Sequence, residues 1–349
     1  MRSPQKKNLT TNHSPYKKES GFFVPKSRNE YWIKSVVNMP ECDVFLHIHI
    51  GLFLGNWRKI THNEYTNSGG RMSASLLSNQ KVQQHLDQKM FEIQTKGLTK
   101  PELRKVDLKK DSALAADVVG ALRAGHFALV RQPIWDAADK NTHFEEVLLR
   151  LQDSQGAEMP IFDSLMCLDR WDLLAEIMPF LLSLQLEHGL THNHATSLNI
   201  PPSVLLPTAA RERFYQALQS FAHERPADDV ILEITETAYI EPNQELIDFM
   251  KQVSELGYRW ALDDFGDGYH TFDHIEQLPL SYVKLAKDIS EQLQFSEDVA
   301  PEIKDMMDLC KKLDVPLVAE HVPDADMAAR LHAWHGIRFA QMFAVPDAE

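Results

Sequence analysis

The sequence predicts an α/β fold, an irregular (β/α)8 TIM-like barrel in which one strand is antiparallel. Along residues 112–349, eight short runs of apolar and β-branched residues alternate with segments of helical periodicity. Such alternation is typical of a barrel built on a largely parallel sheet. The predicted strands cover residues 127–134, 144–151, 196–200, 230–235, 259–264, 281–285, 315–320 and 338–343.

The first two predicted strands are joined by a link that is too short for a parallel connection. Only about nine residues separate the strand ending at 134 from the strand beginning at 144, whereas a parallel crossover needs a dozen or more. We therefore expect these two strands to form an antiparallel hairpin, which makes the barrel irregular.

The N-terminal third has a different character. Residues 1–71 are rich in Lys, Asn, Ser and Thr and lack sustained periodicity, which predicts an irregular, disordered extension. An alternative is that Met72 is the natural start. Residues 72–111 have a polar helical pattern interrupted by Pro101, and we expect a helical lead-in before the barrel domain of residues 112–349.

Charge and cysteine usage exclude several classes of protein. Residues 1–71 carry a net charge of +6, whereas the remaining residues carry −20. An acidic body of this kind argues against binding to a DNA or RNA duplex or to an anionic membrane, and it suits a site that collects cations. The three cysteines, Cys42, Cys167 and Cys310, are far apart. They predict neither a disulfide framework nor a cysteine-based zinc site.

The expected location is the cytoplasm, without a membrane partner. The longest apolar stretch begins at Val44 and is too short to span a bilayer. The first residues lack the apolar segment of a secretory signal.

Polar residues stand at the ends of the predicted strands. Asp263 and Asp264 end one strand and precede a loop with Gly266 and Gly268, and a fold tolerates two adjacent carboxylates best when a cation lies between them. Because the carboxyl ends of barrel strands converge, we expect one oxygen-rich site that suits Mg²⁺ or Mn²⁺ and not zinc. Each residue alone also fits a turn, an ion pair or a solvated strand end. The full set is Glu146, Asn199, Glu233, Asp263, Asp264, Lys284, Glu320 and Gln341.

Residues from about 112 to 349 resemble the EAL domain, a cyclic di-GMP phosphodiesterase module. The name-giving EAL triplet reads EVL here, from Glu146 to Leu148. The other matching motifs, in order, are Gln132-Pro133-Ile134, Asp169-Arg170-Trp171, Asn199, Leu232 to Glu236, Asp263 to Gly266, Lys284-Leu285-Ala286, Ala319 to Pro323, and Gln341-Met342.

The resemblance implies a barrel with one antiparallel strand that opens cyclic di-GMP to linear pGpG with two divalent metals, Mg²⁺ or Mn²⁺. It also implies a first metal held by Glu146, Asn199, Glu233 and Asp263. Asp263 would bridge to the second metal, which Asp264 would also hold. A homodimer formed near the loop after Gly266 is implied as well.

The resemblance further assigns roles around the metals. Lys284 would orient the attacking water, and Glu320 would be a general base or a partner of the metal's water; with Asp264 these are the expected catalytic residues. Glu236 would tether the loop after Gly266. Substrate contacts would come from Gln132, Arg150 and Gln341.

Several positions depart from the family pattern and keep two alternatives open. Pro323 replaces an acidic residue, His321 and Met342 replace glycines, and Ala286 replaces an aspartate. Asp267 stands where a small or hydroxyl residue is usual, and the segment between 160 and 169 is shortened. The first alternative is a catalytically impaired receptor for cyclic di-GMP. The second is a protein-interaction module that binds no nucleotide.

Overall fold

The computed structural model describes residues 79–96, 101–189, 194–224 and 229–343. The predictions for residues 1–71, including the disordered extension, lie outside these ranges. Within them, the helical lead-in contains helix α1 (Asn79–Lys96) and a 3₁₀ turn that begins at Pro101. Helix α2 (Leu108–Ala124) then runs across the expected domain boundary at 111.

All eight predicted strands are present, with ends shifted by a few residues. One two-residue strand, β3, was not predicted because it is too short to show periodicity. The strands are β1 (Phe127–Asp136), β2 (Asn141–Gln152), β3 (Glu158–Met159), β4 (Ala195–Ile200), β5 (Val230–Ile234), β6 (Arg259–Phe265), β7 (Tyr282–Leu285), β8 (Leu317–Val322) and β9 (Phe339–Met342).

The sheet closes into a barrel of eight strands with one antiparallel member. The order is β1-β9-β8-β7-β6-β5-β4-β2, closed by the pairing of β1 with β2, and β3 adds an edge beside β2. Strand β1 is antiparallel to both β2 and β9, and the pairs from β2–β4 to β8–β9 are parallel. The predicted hairpin and the irregular barrel are confirmed.

Helices cover the outside of the barrel. They are α1 (Asn79–Lys96), α2 (Leu108–Ala124), α3 (Ile161–Arg170), α4 (Leu174–Gly189), α5 (Pro202–Leu205), α6 (Ala209–Glu224), α7 (Gln244–Ser254), α8 (Phe272–Gln277), α9 (Lys287–Phe295), α10 (Pro301–Leu313) and α11 (Ala325–His335).

Local signals set the ends of these helices. Asp107 begins α2 by accepting hydrogen bonds from the backbone N–H groups of Lys109 and Lys110, and Gly125 ends it at φ 73°. The side-chain oxygen of an N-cap residue satisfies donors that the first helical turn leaves free, and a left-handed glycine closes the last turn.

A buried carboxylate joins α2 to α3. Asp111 accepts from Arg170 Nε at 3.0 Å and from Trp171 Nε1 at 2.9 Å. The carbonyl of Trp171 in turn lies 2.7 Å from His85 Nε2 on α1. The Asp-Arg-Trp segment found in the sequence therefore anchors helices on the barrel and lies apart from the strand ends.

Two apolar layers surround the strands. The larger one fills the space between strands and helices, with Trp171, Trp260 and Phe214 fully buried. The smaller one fills the barrel interior. Its members come from seven strands: Ile134, Phe144, Ile231, Ala261, Tyr282, Val318 and Phe339.

Candidate functional site

The position of the site follows from the alternation of side chains along each strand. Successive side chains of a strand point to opposite faces, so residues two apart share the barrel interior. Glu146, Glu233 and Asp263 each lie two positions after an interior residue, namely Phe144, Ile231 and Ala261. In the same way, Lys284, Glu320 and Gln341 follow the interior residues Tyr282, Val318 and Phe339. A polar layer thus lies directly above the apolar interior, at the carboxyl ends of the parallel strands.

Strand β6 is irregular where the two adjacent aspartates occur. Its pairing with β7 shifts between Leu262 and Phe265, and its pairing with β5 ends at Leu262. Asp263 and Asp264 therefore form a bulge between regular pairs, with Asp264 at φ 51°. A bulge redirects side chains, and a non-glycine residue in the left-handed region is uncommon and strained. Asp263 faces the interior by the regular alternation of β6, and the bulge places a second carboxylate, Asp264, directly after it.

The ammonium group of Lys284 lies at the centre of the polar layer. Its Nζ is 3.1 Å from Glu146 Oε2, 2.9 Å from Glu233 Oε2 and 2.7 Å from Asp263 Oδ1. A fourth carboxylate, Glu320, places Oε1 at 2.9 Å from the same atom. The lysine side chain is 1% exposed. We call Glu146, Glu233, Asp263, Lys284 and Glu320 the carboxylate cage.

Two amides complete the cage from β4 and β9. Asn199 Nδ2 donates to Glu146 Oε1 at 2.6 Å, and Gln341 Nε2 donates to Glu146 Oε2 at 2.7 Å. The carbonyl oxygen of Asn199 is buried without a hydrogen-bond partner. Buried polar atoms normally have partners, so this oxygen is available to a ligand.

One cation cannot balance four buried carboxylates, and the pKa values of the cage reflect this. Burial alone would lower the pKa of Lys284, but the four carboxylates hold it well above its usual value. Burial also works against the charge of Glu146, yet Lys284 and the hydrogen bonds from Asn199, Lys284 and Gln341 lower the pKa of Glu146.

The remaining carboxylates keep protons more tightly. Burial, together with the charges of Glu146 and Asp263, raises the pKa of Glu233 to about 8 despite Lys284. Burial raises the pKa of Asp263 and, much further, that of Glu320. A group with a raised pKa is a stronger proton acceptor once it is ionised, and an additional cation in the cage would favour ionisation.

The donors of the cage fit a hard divalent cation by their chemistry. Carboxylate oxygens and an amide oxygen are the ligands that Mg²⁺ and Mn²⁺ prefer, and Asn199 Oδ1 has a free lone pair. In the described part of the chain, no group of three or more His, Cys, Asp and Glu side chains has the arrangement of a metal site. The contacts of Lys284 give the reason, because its ammonium lies where the carboxylate oxygens meet.

Hydrogen bonds tie the loop after β6 to Glu236, which lies two residues after the end of β5. Glu236 Oε1 accepts from the backbone N–H groups of Gly268, Tyr269 and His270 at 2.9, 2.6 and 2.6 Å. Gly266 has φ 116°, and a Cβ there would meet the tip of the Ile289 side chain. This backbone angle strains any residue with a side chain, and Ile289 would also have to move aside.

Two predicted substrate contacts lie above or beside the cage. Gln132 pairs in register with Glu146 across the β1–β2 hairpin. Arg150 lies four residues beyond Glu146 on β2, roughly 13 Å along the strand, and its Nη1 donates to the carbonyl of Leu149 at 3.0 Å. Of the three predicted substrate contacts, Gln341 thus contacts the cage directly, Gln132 lies level with Glu146, and Arg150 lies further toward the barrel mouth.

The departures from the family pattern occupy distinct positions. His321 lies in a bulge of β8 at φ 55°, which explains the usual glycine, and its exposed ring meets Phe343 edge-on. Met342 and Ala286 are buried, and Met342 belongs to the larger apolar layer. The shortened segment leaves only β3 and α3 between β2 and α4.

Two polar residues near the cage were not predicted. Ser290 on α9 donates to the carbonyl of Leu285 at 3.1 Å and accepts from the backbone N–H of Glu320 at 2.9 Å, so it joins β7 and β8. The ring nitrogen Nδ1 of His270, in the loop after β6, contacts the backbone carbonyl of Asp263. A lone serine in a helix and a lone histidine in a loop give no signal in the sequence.

A closed barrel with one antiparallel strand and an acidic cage at its carboxyl ends defines a TIM-like class of α/β protein whose site lies at the mouth of the barrel. The model of the EAL domain matches residues 115–341. The chain belongs to the EAL domain family.

Known relatives share part of their length with this chain. The cyclic di-GMP phosphodiesterase PdeB of Shewanella oneidensis is 29% identical over 237 residues, covering 66% of this chain and 27% of that protein. RocR of Pseudomonas aeruginosa, also named a cyclic di-GMP phosphodiesterase, is 27% identical over 246 residues, covering 67% of this chain and 62% of RocR. The chain thus spans less than two thirds of the length of these relatives.

A solved structure supports the fold. The PaMucR phosphodiesterase in complex with c-di-GMP superposes with a TM-score of 0.56 at 23% identity, covering 66% of this chain and 95% of that one. Within the described ranges, no helix combines the length and the apolar character that crossing a bilayer requires.

Proposed function

We propose that this protein hydrolyses cyclic di-GMP to linear pGpG in a reaction that depends on two divalent metals, Mg²⁺ or Mn²⁺. Four carboxylates from four different strands converge on the space around Lys284 Nζ within 3.1 Å, and this convergence is the observation that carries the proposal. The EAL relatives named as cyclic di-GMP phosphodiesterases support it.

The metals would be held by oxygen donors of the cage and of the β6 bulge. Glu146, Asn199, Glu233 and Asp263 would hold the first, and Asp263 and Asp264 the second. Divalent cations bound there supply Lewis acidity toward a phosphodiester and lower the pKa of water. Occupation of the cage requires the ammonium of Lys284 to give up part of its four contacts.

The protein residues supply the remaining chemistry. Lys284 would orient the attacking water and stabilise the negative charge that develops on the phosphate. Glu320 would accept the proton of that water, because its raised pKa makes its carboxylate a strong base. A bond would form between the water oxygen and phosphorus, and the bond from phosphorus to the ribose O3′ would break. O3′ would take a proton from solvent and leave as a hydroxyl, and Glu320 would release the proton of the attacking water to solvent.

Positioning of the dinucleotide would come from the residues around the mouth. Gln132 and Gln341 lie at the level of the cage, and Arg150 lies further out on the same strand as Glu146. An arginine at this point suits a guanine edge or the second phosphate. Glu236 would hold the loop that closes over the ligand.

The test is turnover by purified protein with Mn²⁺ or Mg²⁺, followed by chromatographic detection of pGpG. Wild type should form pGpG, and Glu146→Gln should not. Glu145→Gln is the matched control, because Glu145 is the next residue on β2 but faces away from the cage and pairs with Arg131. Absence of turnover by wild type with either metal would refute the proposal.

A non-catalytic receptor for cyclic di-GMP is the second candidate. It is favoured by the end of β8, where Pro323, directly after the strand, has no side-chain oxygen and His321 adds bulk. Calorimetry that shows tight binding of cyclic di-GMP without formation of pGpG would select it. If neither Mn²⁺ nor cyclic di-GMP raises the melting temperature, the chain is a protein-interaction module instead, since a ligand of the folded state must stabilise it.

We also propose a homodimer formed through the surface beside the loop after β6. Tyr239, Tyr269 and Phe272 are large side chains with exposed fractions of 56%, 49% and 40%, and exposed apolar groups of this kind mark interaction surfaces. Light scattering tests the proposal by measuring the molecular mass in solution. Wild type should have the mass of a dimer, and Tyr239→Ser should have the mass of a monomer. The cytoplasm is the proposed location, because Cys167 and Cys310 are buried free thiols.

A further inference from the structure

His270 is a buried histidine whose ring contacts the backbone of the strand that carries the site. The residue is 6% exposed. Its Nδ1 lies 3.1 Å from the carbonyl oxygen of Asp263, and its own backbone N–H donates to Glu236 at 2.6 Å. One residue therefore connects the end of β5, the loop after β6 and the bulge of β6.

The bulge explains why such a contact is needed. Asp263 lies beyond the last residue of β6 that is in register with β5, and within the shift of the register between β6 and β7. A half-buried carbonyl at such a point gains free energy from a hydrogen-bond donor that the regular ladder does not supply. The imidazole of His270 supplies this donor from the far side of the loop.

A second histidine, His274, lies beside the ring of His270. His274 packs edge-on against His270 with ring centroids 5.5 Å apart. The backbone N–H of Thr271 donates to His274 Nδ1, so His274 Nε2 carries the proton and donates to the carbonyl of Ile240 at 2.7 Å. These hydrogen bonds tie His274 to Thr271 and Ile240, whereas the contact with the Asp263 carbonyl is made by His270.

We propose that His270 is a positioning residue for the Asp263–Asp264 bulge, acting through its Nδ1–H donor to the Asp263 carbonyl, and thereby for the metal donors that these two aspartates provide. This inference rests on the proposed function for its catalytic consequence but not for its structural one. Nε2 of His270 is buried without a hydrogen-bond partner, so the ring proton lies on Nδ1, where the carbonyl of Asp263 accepts it.

The experiment compares three variants of the full chain. His270→Asn keeps an N–H donor at the same distance from the backbone as Nδ1, whereas His270→Leu keeps the volume and removes the donor. His274→Leu is the matched control, because it removes a buried histidine beside the first without touching Asp263. The measurements are amide hydrogen exchange of residues 262–266 in EDTA, calorimetric affinity for Mn²⁺, and the melting temperature.

We expect His270→Leu to speed exchange across the bulge and to weaken Mn²⁺ binding by about 10-fold or more, the usual effect of removing an outer contact of a metal ligand. His270→Asn should restore both values to near wild type. His274→Leu should lower the melting temperature but leave Mn²⁺ affinity unchanged.

Two results would overturn the inference. One is hydrogen exchange and Mn²⁺ affinity in His270→Leu that equal those of wild type, and the other is a His270→Asn variant that is as impaired as His270→Leu. The exchange measurement decides this even if wild type binds no Mn²⁺, while turnover of cyclic di-GMP by wild type judges the proposed function separately.

Discussion

The ammonium nitrogen of Lys284 lies 2.7 Å from a carboxylate oxygen of Asp263, inside a closed barrel. The two residues stand on adjacent strands, β6 and β7, and the same ammonium also contacts Glu146, Glu233 and Glu320. In the protein without divalent metals, Lys284 is the cation that makes four buried carboxylates tolerable. The lysine thus has a structural task in addition to the catalytic one proposed for it.

Replacement of Lys284 by methionine should destabilise the metal-free protein. Removal of one partner from a buried ion pair costs about 3–5 kcal/mol because the other charge loses its compensation. Protonation of Glu233 and Glu320, whose pKa values are raised, should reduce the loss to about 3 kcal/mol. Urea denaturation in EDTA measures it. Addition of Mn²⁺ should stabilise the variant more than wild type.

The control for this experiment is Lys287→Met. Lys287 is half-exposed and pairs with Glu291 at 3.6 Å, and an exposed pair one helical turn apart contributes only about 0.3–0.5 kcal/mol. If Lys284→Met were as stable in EDTA as the control, Lys284 would not be the compensating cation.

Replacement of Glu236 by glutamine should impair turnover far more than stability. Glu236 Oε1 receives three backbone N–H groups of the loop, and hydrogen bonds to a charged acceptor are roughly twice as strong as neutral ones. The loop should therefore loosen, with faster hydrogen exchange at residues 266–271 and a kcat for cyclic di-GMP at least about 10-fold lower, as expected for a loop that gates catalysis.

Glu241→Gln serves as the control for the loop, because Glu241 is an exposed residue on the same connection between β5 and α7. It should leave both exchange and kcat unchanged. Unaltered loop exchange in Glu236→Gln would show that the three hydrogen bonds do not hold the loop.

Acid should destabilise the metal-free protein through His270. Burial and His274 lower the folded-state pKa of His270 to about 4 from 6.5. Between pH 6.5 and about pH 4, the unfolded chain therefore binds a proton at this histidine and the folded chain does not. The contribution of neutral His270 is complete above pH 6.5. It is lost as pH falls to 4, by up to about 3 kcal/mol.

The measurement is the difference in unfolding free energy between wild type and His270→Asn in EDTA at several pH values. Glu233, Asp263 and Glu236 also titrate, but they are present in both proteins, so the difference reports His270. The wild-type curve should fall more steeply from pH 6.5 to 4 than that of the variant. Parallel curves would contradict the lowered pKa.

The sequence predicts this barrel well because its signals are local and repeated. Each strand is a short β-branched run, and the nine-residue link after position 134 is enough to identify the antiparallel strand. The cage is predictable for the same reason, since Glu146, Glu233 and Asp263 each stand two residues after an apolar interior residue. Strand β3, with two residues, is too short for such a signal.

What the sequence cannot predict depends on contacts between distant segments. The sequence places Lys284 in the same site as the carboxylates, but it does not predict that the ammonium contacts four of them at once, because these come from four other strands. His270 reaches Asp263 only because a bulge exposes one carbonyl and a loop turns back on it. Such contacts arise from the closed fold and have no periodic pattern.

Position 321 offers a test of backbone strain beside the site. His321 has φ 55° at the bulge between Ala319 and Val322, a region that costs an L-residue about 1 kcal/mol or more and that a β-branched residue fits worst. Stability measured by urea denaturation should therefore decrease from His321→Gly through wild type to His321→Val. We expect glycine to gain up to about 1 kcal/mol, reduced by its larger entropy in the unfolded chain. The ring of His321 is exposed and meets only the edge of Phe343, so its loss should not reverse the order. A valine variant as stable as the glycine variant would show that residue 321 does not occupy the left-handed region.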